Sequence, residues 1–483
     1  TRVGGQRVID SRPKRGLSIR VISSADAVDN IAQHFAGHIA RVCGRPATVG
    51  GAAQDQGFAL NIAAVQGEYL ENNERGEKRV PFRFHRSNDQ IVITGNTIKD
   101  LELACYYYLH SIGYRQFLPG SLWEFYPHWE VKDLLNHLPA VESTVPFFGR
   151  HIWHAYGTPI DRRTEFLDWR RKNLLDQEGY VQTDHSYGWI IETLGSEFSD
   201  TPEYWPEIDG VRARGIRNKF CIGNVRLQER ICDVISEHVA SHPTLRSVSM
   251  EPSDWPGWCE CRKCRAIGNL SDQVFYLAGK VADRLEASFP VRLVLVGMYA
   301  YSTHSSPPKI PIHKNIRVLV ATEVINPPRD PFDLIAQWSS LEIPLGVREY
   351  YGVGIWELES PWRSRAGGLS LIGQRLNRLR QLGVQFVSAE SSYNWGANGL
   401  MYFAAAWHMF LGSSKITGID PSRLVLEFTI SLFPSTHVAM TRFFEMLWVQ
   451  NPPKITRQSH IAQMRGLLIN AIGSADQEEE LNR

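Results

Sequence analysis

The feature that most constrains the fold of this chain is an alternation of apolar, strand-like runs with helical patterns that begins at Val145. Eight runs have the length and the apolar content of buried strands: residues 147–153, 179–183, 219–222, 247–250, 292–298, 316–321, 345–348 and 385–389. Helical patterns lie between most of them or follow the last: residues 163–175, 227–240, 272–288, 331–340, 369–381 and 400–411. Eight strands that alternate with helices predict a parallel (β/α)8 TIM-like barrel.

An open, doubly wound sheet is the other α/β fold with this alternation. Such a sheet usually has fewer strands and a glycine-rich turn that holds nucleotide phosphates. The sequence contains neither a GxGxxG motif nor a P-loop. We therefore expect a barrel, with no nucleotide and no other cofactor for catalysis.

Two further segments flank the barrel, which we place at residues 145–415. Residues 1–140 have strand and helix patterns typical of a small α+β accessory domain, with helices at 25–42 and 98–112. Residues 416–483 are predicted to form a C-terminal helical segment. Three parts also agree with the length of 483 residues, at about 150 residues per domain.

The charge balance restricts the class of partner. Lys and Arg number 52 and Asp and Glu number 51, so the formal net charge is +1. A nucleic-acid groove or a surface for anionic membranes needs a basic excess, so neither partner is expected. The longest apolar run, residues 399–412, contains His408. It is shorter than the roughly 20 residues that span a bilayer, so we expect no membrane span.

Acidic residues follow four of the predicted strands. Asp254 comes after strand four, Glu323 after strand six, Glu349 after strand seven and Glu390 after strand eight. Because the active site of a (β/α)8 barrel lies at the C-terminal ends of its strands, these acids are predicted to share one mouth. Glycosidic bond cleavage needs one carboxylic acid to protonate the leaving oxygen and a second group to stabilise or attack the cationic sugar. A helix N-cap or a salt bridge is the structural alternative for each acid alone.

Aromatic and basic side chains are predicted at the same strand ends. Aromatic faces stack on the apolar C–H faces of sugars, and His or Arg can donate hydrogen bonds to hydroxyl or acetamido groups. Most of the 14 Trp residues are nevertheless expected in the core. The candidate substrate-binding residues are Arg150, His151, His185, Trp255, Tyr351 and Trp395.

Four of the seven cysteines form a cluster in the sequence. Cys259, Cys261 and Cys264 lie close together after the fourth predicted strand, and Cys221 lies near the end of the third. Four thiolates can close a tetrahedral structural zinc site that would pin the loop after strand four. One or two disulfides, or free thiols, are the alternatives. The other three cysteines lie in apolar helical contexts and are predicted core residues: Cys43, Cys105 and Cys232.

Three segments precede the cysteine run: residues 203–210 (EYWPEIDG), 219–224 (KFCIGN) and 248–255 (VSMEPSDW). This succession resembles the core of glycoside hydrolase family 163, a bacterial family that grew out of a domain of formerly unknown function. The resemblance covers roughly residues 150–430. It implies an endo-β-N-acetylglucosaminidase that cuts the chitobiose core of complex N-glycans, in a secreted, periplasmic or cell-surface protein.

Several site residues fall within this resemblance. Asp254, Trp255 and the four clustered cysteines match the family motif directly, and Glu323 and Glu390 match it more loosely. Glu349 stands where the family typically has Asp. The first domain resembles the small α+β domain that precedes the barrel in family 20 hexosaminidases and in α-glucuronidases.

The sequence supports three functions, each with a carbohydrate or a glycoprotein glycan as partner. The first is a glycoside hydrolase that acts on a GlcNAc-containing glycan, with Asp254 and Glu390 as the first catalytic candidates and Glu323 and Glu349 next. The second is another glycosidase on the same scaffold, such as an α-glucuronidase, whose uronate would need a basic pocket. The third is a barrel that binds glycans without cleaving them.

Overall fold

The computed structural model of the chain describes residues 17–22, 26–50, 56–62, 80–141, 145–153, 160–177, 179–215, 219–254, 256–353, 368–393, 395–411, 420–447, 457–475 and 478. The chain divides into two compact units. The first contains residues 1–116 and 124–144, and the second contains residues 117–123 and 145–483. The helices after the barrel therefore belong to the same unit as the barrel.

The first unit is an α+β fold built on a five-stranded sheet. Its elements are β1 (Leu17–Val21), α1 (Asp26–Cys43), β2 (Ala47–Val49), β3 (Gly57–Ile62), β4 (Phe82–Ser87), β5 (Gln90–Gly95), α2 (Ile98–Ser111), β6 (Arg115–Gln116), β7 (Glu124–Phe125) and α3 (Val131–Asn136). The sheet order is β2-β1-β3-β5-β4, in which β4 and β5 pair antiparallel and the other neighbours pair parallel.

Helices α1 and α2 cover one face of this sheet. The ring of Phe58 on β3 meets the rings of Phe35 on α1 and Tyr108 on α2, with 5.1 Å between centroids in each pair. These three residues are almost fully buried. At the start of α2, Thr97 and Asp100 form a capping box, in which each side chain accepts from the other's backbone N–H. The apolar stripe of each helix thus becomes the core of the first unit.

The second unit contains the predicted barrel. Its elements are β8 (Gly149–Ile152), α4 (Arg163–Lys172), α5 (Tyr187–Thr193), α6 (Gly195–Asp200), β9 (Glu207–Ile208), β10 (Val211–Arg212), α7 (Val225–Ser241), β11 (Ser247–Ser249), α8 (Arg262–Ile267), α9 (Leu270–Ser288), β12 (Leu295–Ser302), β13 (Ile316–Ile325), α10 (Pro331–Ser339), β14 (Leu345–Tyr351), α11 (Leu369–Gln381), β15 (Phe386–Ser391), α12 (Trp395–Leu411), α13 (Pro421–Leu432), α14 (His437–Leu447) and α15 (Arg457–Ser474). Six strands form one parallel sheet in the order β11-β12-β13-β14-β15-β8. The first strand of the unit lies beside the last, as in a closing barrel, and the predicted TIM-like fold class is confirmed.

Local sequence signals begin several of the barrel helices. Asn224 caps α7 by accepting a backbone N–H of the first turn. Asn269 and Asp272 form a capping box at the start of α9. Asp330 caps α10, which begins with Pro331 at its first position. These residues satisfy the backbone N–H groups that a helix leaves unpaired at its N-terminus.

The inward faces of the barrel strands meet in a buried, partly aromatic cluster. Its members are Val181, Leu295, Tyr299, Tyr301, Leu319, Ala321, Tyr350, Val353 and Phe386. Because side chains alternate along a strand, the residues between these positions face the helix layer. This alternation decides which strand-end side chains reach the mouth of the barrel.

The second predicted strand, residues 179–183, has no strand conformation in the structure. Asp176, instead of a strand, forms hydrogen bonds to the edge of β8 that β15 does not cover. Its Oδ2 accepts from the Arg150 backbone N–H at 2.6 Å, and its own N–H donates to the Arg150 carbonyl at 2.7 Å. The segment contacts β11 through the Gln182 N–H, which donates to Ser247 Oγ at 2.9 Å, and the residues that follow the two, His185 and Glu251, form an isolated parallel bridge.

The third predicted strand, residues 219–222, is also irregular in the structure. The Cys221 N–H donates to the Tyr204 carbonyl at 2.8 Å, and the Ile222 carbonyl accepts from Gln228 Nε2 at 2.7 Å. A segment whose backbone groups bond to a loop and to a side chain cannot join a strand ladder, although its apolar residues still fill the core.

Helices α13–α15 follow the barrel. The ring of Phe428 on α13 lies 5.1 Å from the ring of Phe117 and 5.0 Å from that of Phe444 on α14. The first contact explains why residues 117–123 belong to the barrel unit. Within the described ranges, no helix has both the length and the apolarity required to cross a membrane.

Candidate active site

The loop after β11 holds Asp254 between a histidine and a tyrosine. The Tyr301 hydroxyl donates to Asp254 Oδ1 at 2.9 Å, and His185 Nε2 lies 3.2 Å from the same oxygen. His185 Nδ1 lies 2.6 Å from the Pro252 carbonyl oxygen. Both neighbours of the ring are acceptors, so an imidazolium with a proton on each nitrogen satisfies both. The Asp254 side chain is 62% exposed, which leaves the carboxylate accessible to a ligand.

The charged forms of Asp254 and His185 stabilise each other. The hydrogen bond from His185 lowers the pKa of Asp254 below its usual 3.8, and it outweighs the opposing effect of partial burial. Burial acts to lower the pKa of His185, but the hydrogen bond and the charge of Asp254 raise it above its usual 6.5. Asp254 is therefore a carboxylate at neutral pH, suited to accept a hydrogen bond or to stabilise positive charge rather than to donate a proton.

We expect this pair to be intact only between the two shifted pKa values. Its stabilising effect is lost as the pH falls through the lowered pKa of Asp254 and as the pH rises through the raised pKa of His185. In a His185→Gln variant, the pKa of Asp254 should rise towards 3.8, because the largest cause of its depression is removed. NMR titration of 13C-labelled aspartate carboxyls would show this rise. An Asp254 pKa that is the same in both proteins would contradict the pairing.

Glu251 stabilises the loop after β11, which carries Asp254, through buried contacts. It is fully buried, and its Oε2 accepts from the Tyr299 N–H at 2.6 Å. Its Oε1 lies 3.4 Å from His304 Nε2, and its carbonyl accepts from the Ser186 N–H at 2.9 Å. These contacts tie the end of β11 to β12 and to the segment before α5, so Glu251 positions the loop that carries Asp254.

Lys219 and Trp258 hold the loop on its other side. Lys219 Nζ donates to the Ser253 carbonyl and lies 4.8 Å from the centroid of the Trp258 ring. Burial lowers the pKa of Lys219 to about 8, although the charges of Glu251 and Asp254 oppose this shift. A buried cation and an aromatic ring thus anchor the residue before Asp254.

A second polar group lies at the ends of β14, β15 and β8. Arg348 Nη2 donates to Glu390 Oε1 at 2.7 Å, and Arg348 Nη1 donates to Ser388 Oγ at 3.0 Å. The guanidinium lies 3.6 Å from the centroid of the Trp153 ring and 5.5 Å from that of Tyr299. The backbone N–H of Tyr299 also donates to Glu251, the buried acid beside the Asp254 loop. Tyr299 therefore contacts both polar groups of the mouth.

Glu323 and Glu390 are the predicted catalytic acids on inward faces of the strands. Glu390 follows Phe386 and Ser388 at alternate positions of β15, and its side chain is 13% exposed. Glu323 follows Ala321 by two residues on β13 and is half-buried. Alternation therefore places both on the side of the strands that faces the mouth.

Glu349 and Tyr351 lie on the outer face of β14, against the helix layer. The buried Glu349 carboxylate accepts from Arg375 Nε of α11 at 2.7 Å. The Tyr351 side chain is fully buried, and its carbonyl accepts from the Tyr402 hydroxyl of α12 at 2.7 Å. Arg348 and Tyr350, at the alternate positions of the strand, lie on the opposite face, which is the face towards the mouth. The predicted catalytic role of Glu349 and the predicted substrate contact of Tyr351 do not fit this placement.

Three other predicted substrate-binding residues are packed into the barrel unit. The Arg150 guanidinium donates to three backbone carbonyls. His151 Nε2 lies 2.6 Å from Arg170 Nη1. Trp395 begins α12 and packs against three aromatic rings, at centroid distances between 5.1 and 5.4 Å. These contacts give the three residues structural roles, whereas Trp255 lies outside the described residues.

Tyr301 and Lys219 are not among the site residues predicted from the sequence, and for Tyr301 the reason is that the fifth predicted strand ends at residue 298, whereas β12 continues to Ser302. The strand that became β12 ends without an acid but carries Tyr299 and Tyr301 at alternate positions. That spacing puts both side chains on one face and was the available signal. Lys219, a single basic residue before an apolar run, carries no comparable signal.

The four clustered cysteines also converge in the structure. The sulfurs of Cys221, Cys259, Cys261 and Cys264 all lie within 4.8 Å of one another, and all four residues are buried. These residues are the candidate metal ligands of the part of the chain that the structure describes. They lie at the base of the loop that carries Asp254 rather than at the exposed carboxylate itself.

The family described as "Domain of unknown function (DUF4838)" matches residues 118–403, which is more than half of the chain. This range contains every residue of the mouth described above. No sequence among the curated proteins matches the chain.

Solved structures with a similar fold include glycoside hydrolases. A family GH115 4-O-methyl-α-glucuronidase with specificity for decorated arabinogalactans has a TM-score of 0.56 at 9% identity, over 96% of this chain and 69% of that one. A β-N-acetylhexosaminidase from Bacteroides fragilis NCTC 9343 has a TM-score of 0.44 at 11% identity, over 96% of this chain and 93% of that one. An N-acetyl-β-hexosaminidase from Streptomyces plicatus has a TM-score of 0.41 at 12% identity, over 96% and 92%. At 9% identity, the likeness to the GH115 enzyme shows a shared fold and leaves the chemistry to the site residues.

Proposed function

We propose that this chain, which belongs to the DUF4838 family, is a glycoside hydrolase that cleaves GlcNAc-containing glycans. More narrowly, we propose an endo-β-N-acetylglucosaminidase that cuts the chitobiose core of complex N-glycans. The observation that carries the proposal is the exposed Asp254 carboxylate, held ionised by His185 and Tyr301 beside the end of β11. Barrel enzymes place their chemistry at that end of the strands. A glycoprotein substrate implies a secreted, periplasmic or cell-surface protein.

An ionised Asp254 suits hydrolysis assisted by the substrate. In that reaction the acetamido oxygen of GlcNAc attacks its own anomeric carbon while the glycosidic bond breaks. Asp254 would accept the acetamido N–H and stabilise the positive charge of the cyclic intermediate. Its lowered pKa suits this role and makes it a poor proton donor near neutral pH.

The proton for the leaving oxygen must then come from another carboxyl group at the mouth. Glu390 and Glu323 are the inward-facing candidates. After the first step, the same group, now a carboxylate, takes a proton from water as the water oxygen attacks the anomeric carbon and reopens the ring. The sugar then leaves with its original anomeric configuration, because the anomeric carbon is attacked twice.

The acid can be identified through the leaving group. Glu323→Gln and Glu390→Gln should be compared on a natural glycan and on an aryl glycoside whose phenolate leaves without protonation. The variant that lacks the acid should lose roughly 10²–10⁴-fold in kcat/KM on the glycan and far less on the aryl substrate. Equal losses on both substrates would show that the residue positions the sugar instead.

A uronic acid is a poorer fit than a neutral sugar to the described basic residues Arg150, Arg348 and His185, because each of them already has partners within the protein. The Arg348 guanidinium donates to Glu390 and Ser388. Arg150 donates to backbone carbonyls, and both nitrogens of His185 face acceptors. A uronate would have to displace one of these partners, which supports a GlcNAc-containing glycan over a uronide as the substrate.

A panel of substrates separates the three candidate functions. We expect the protein to release glycan from a complex N-glycoprotein and to leave 4-O-methylglucuronyl oligosaccharides intact. Release of uronic acid without release of N-glycan would favour the glucuronidase alternative. Saturable glycan binding without product over a long incubation would favour a non-catalytic barrel. Labelling of new reducing ends, followed by chromatography, measures the two release outcomes, and titration calorimetry with an intact glycan measures binding without product.

A further inference from the structure

We propose that Cys221, Cys259, Cys261 and Cys264 bind a structural zinc ion that fixes the base of the loop after β11. All four side chains are buried, and their sulfurs lie within 4.8 Å of one another. Cysteine thiolates in this number are the usual ligand set of a closed, structural zinc site. A catalytic zinc would instead keep one coordination position open for water or substrate.

The distances between the sulfurs suit a tetrahedron around one ion. Cys221 Sγ lies 3.6 Å from Cys261 Sγ and 3.8 Å from Cys264 Sγ. With Zn–S bonds of about 2.3 Å, the edge of a tetrahedron of sulfurs measures about 3.8 Å. One sulfur at nearly equal distances from two others is the arrangement that a shared ion produces, whereas a disulfide would select one partner and draw the two sulfurs to bond length.

Two chain segments deliver the ligands: residues 259–264 supply three cysteines and the segment before α7 supplies Cys221. Cys261 is the residue before α8 and Cys264 lies in its first turn, so the helix places both sulfurs on one side. Cys259 lies beside β9, where its sulfur accepts from the Glu207 N–H at 3.3 Å. Cys221 comes from the irregular segment that replaces the third predicted strand. Ligands from separate segments converge without a continuous sheet to hold them.

Hydrogen bonds to sulfur prepare the cluster for negative charge. Cys264 Sγ accepts from the Gly223 N–H at 3.1 Å, and Cys259 Sγ accepts from Arg212 Nη1 at 3.8 Å in addition to its bond from Glu207. Donors of this kind around a metal site orient the ligands and offset the charge of the thiolates. Four thiolates and one Zn²⁺ leave a net charge of about −2, which these donors partly compensate.

Gly223 shows how closely the segments approach at the cluster. A Cβ atom at this position would lie 2.6 Å from Cys264 N and 2.7 Å from Lys263 C. Both are backbone atoms, so no side-chain rotation can relieve the clash. Glycine is therefore required here for Cys221 and Cys264 to come within reach of the same ion.

The position of the cluster connects the zinc site to the mouth of the barrel. Cys259 comes five residues after Asp254, and Cys221 comes two residues after Lys219, which donates to the Ser253 carbonyl. The ion would thus fix the loop both behind Asp254 and through Lys219. The importance of this loop for activity rests on the proposed function. The zinc site itself does not, because the positions of its ligands are independent of any activity.

Metal analysis of the full chain tests the proposal. Protein purified from zinc-supplemented medium should contain about one zinc per chain. Replacement by Co²⁺ should give the strong visible absorption and the near-ultraviolet sulfur-to-metal band of a tetrahedral tetrathiolate site. Cys264→Ala should lose the metal, whereas Cys232→Ala, which removes a buried thiol of α7 outside the cluster, should keep it.

The thiol count separates zinc from disulfides even if the Cys264→Ala variant fails to fold. Wild-type protein denatured with a chelator and without a reductant should show all seven cysteines as free thiols. Fewer free thiols, or a preparation that takes up no stoichiometric zinc or cobalt, would overturn the proposal. An active, metal-free protein would overturn the zinc site alone. A zinc protein without glycosidase activity would overturn the proposed function alone.

Gly223→Ala offers a further test that leaves every ligand in place. We expect this variant to have a lower Tm and a weaker zinc affinity, because the added methyl group separates the segments of Cys221 and Cys264. Gly279→Ala is the matched control, since a Cβ at that position of α9 meets nothing within 4 Å. If Gly223→Ala kept wild-type Tm and zinc affinity, the close approach would not serve the metal site.

Discussion

Replacing Asp254 with Asn should lower kcat/KM for glycan release by roughly 10²–10⁴-fold, while the variant stays folded. The carboxylate that would orient the acetamido group becomes a neutral amide, which cannot stabilise the positive charge of the cyclic intermediate. The side chain is 62% exposed, so its change removes little packing. Steady-state kinetics on a complex N-glycopeptide measures the loss, and circular dichroism reports the fold.

The control for this substitution is Asp200→Asn. Asp200 is an exposed residue at the end of α6 and makes no contact described for the mouth. The control should keep wild-type kcat/KM. If Asp254→Asn also kept it, the site proposed at the end of β11 would be wrong.

Replacing Glu349 with Gln should lower the free energy of unfolding by roughly 3–5 kcal/mol and leave kcat unchanged in the protein that remains folded. The substitution leaves the charge of Arg375 largely buried without its counter-ion, since the carboxylate is fully buried and the guanidinium side chain is 15% exposed. Urea unfolding followed by tryptophan fluorescence measures the stability of the variant.

Glu342→Gln is the matched control for this second substitution. Glu342 is exposed in the loop after α10, so its change should leave stability within about 0.5 kcal/mol of wild type. A Glu349→Gln variant with normal stability and a strongly reduced kcat would contradict the placement of Glu349 against the helix layer. It would restore Glu349 as a catalytic candidate.

The barrel was predictable from the sequence because its strongest signals are periodic. Six of the eight predicted strands form the parallel sheet, and the helix at residues 369–381 has the predicted bounds. The two irregular segments were not predictable from apolar content, because tertiary partners decided their conformation. Asp176 occupies the edge of β8, and the cysteine cluster and the Tyr204 carbonyl take up the backbone near Cys221.

The candidate site was predictable only as far as the position of the strand ends. The sequence correctly indicates which residues follow each strand, but it does not give the face on which they lie. A difference of one residue separates Arg348, which faces the mouth, from Glu349, which faces α11. This alternation could have been applied to β14 in advance, had the register of the strand end been known.

The remaining features of the site could not be predicted because they depend on contacts between residues that are far apart in the sequence. His185 and Tyr301 are more than a hundred positions apart, yet both contact the same oxygen of Asp254. Arg150 and Trp395 have residue types suited to sugar binding, but the first donates to backbone carbonyls and the second packs against aromatic rings. Residue type and strand-end position are therefore insufficient to separate ligand contacts from packing.

The most direct test of the central claim is the mass of an N-glycoprotein after treatment with the wild-type chain and with Asp254→Asn. We predict that the wild-type protein leaves a single GlcNAc on each processed asparagine and releases the remaining glycan as one oligosaccharide. The variant should leave the glycoprotein at its original mass over the same time. A glycoprotein that the wild-type chain does not change, trims from the outer sugars, or processes equally well with the variant would contradict the account.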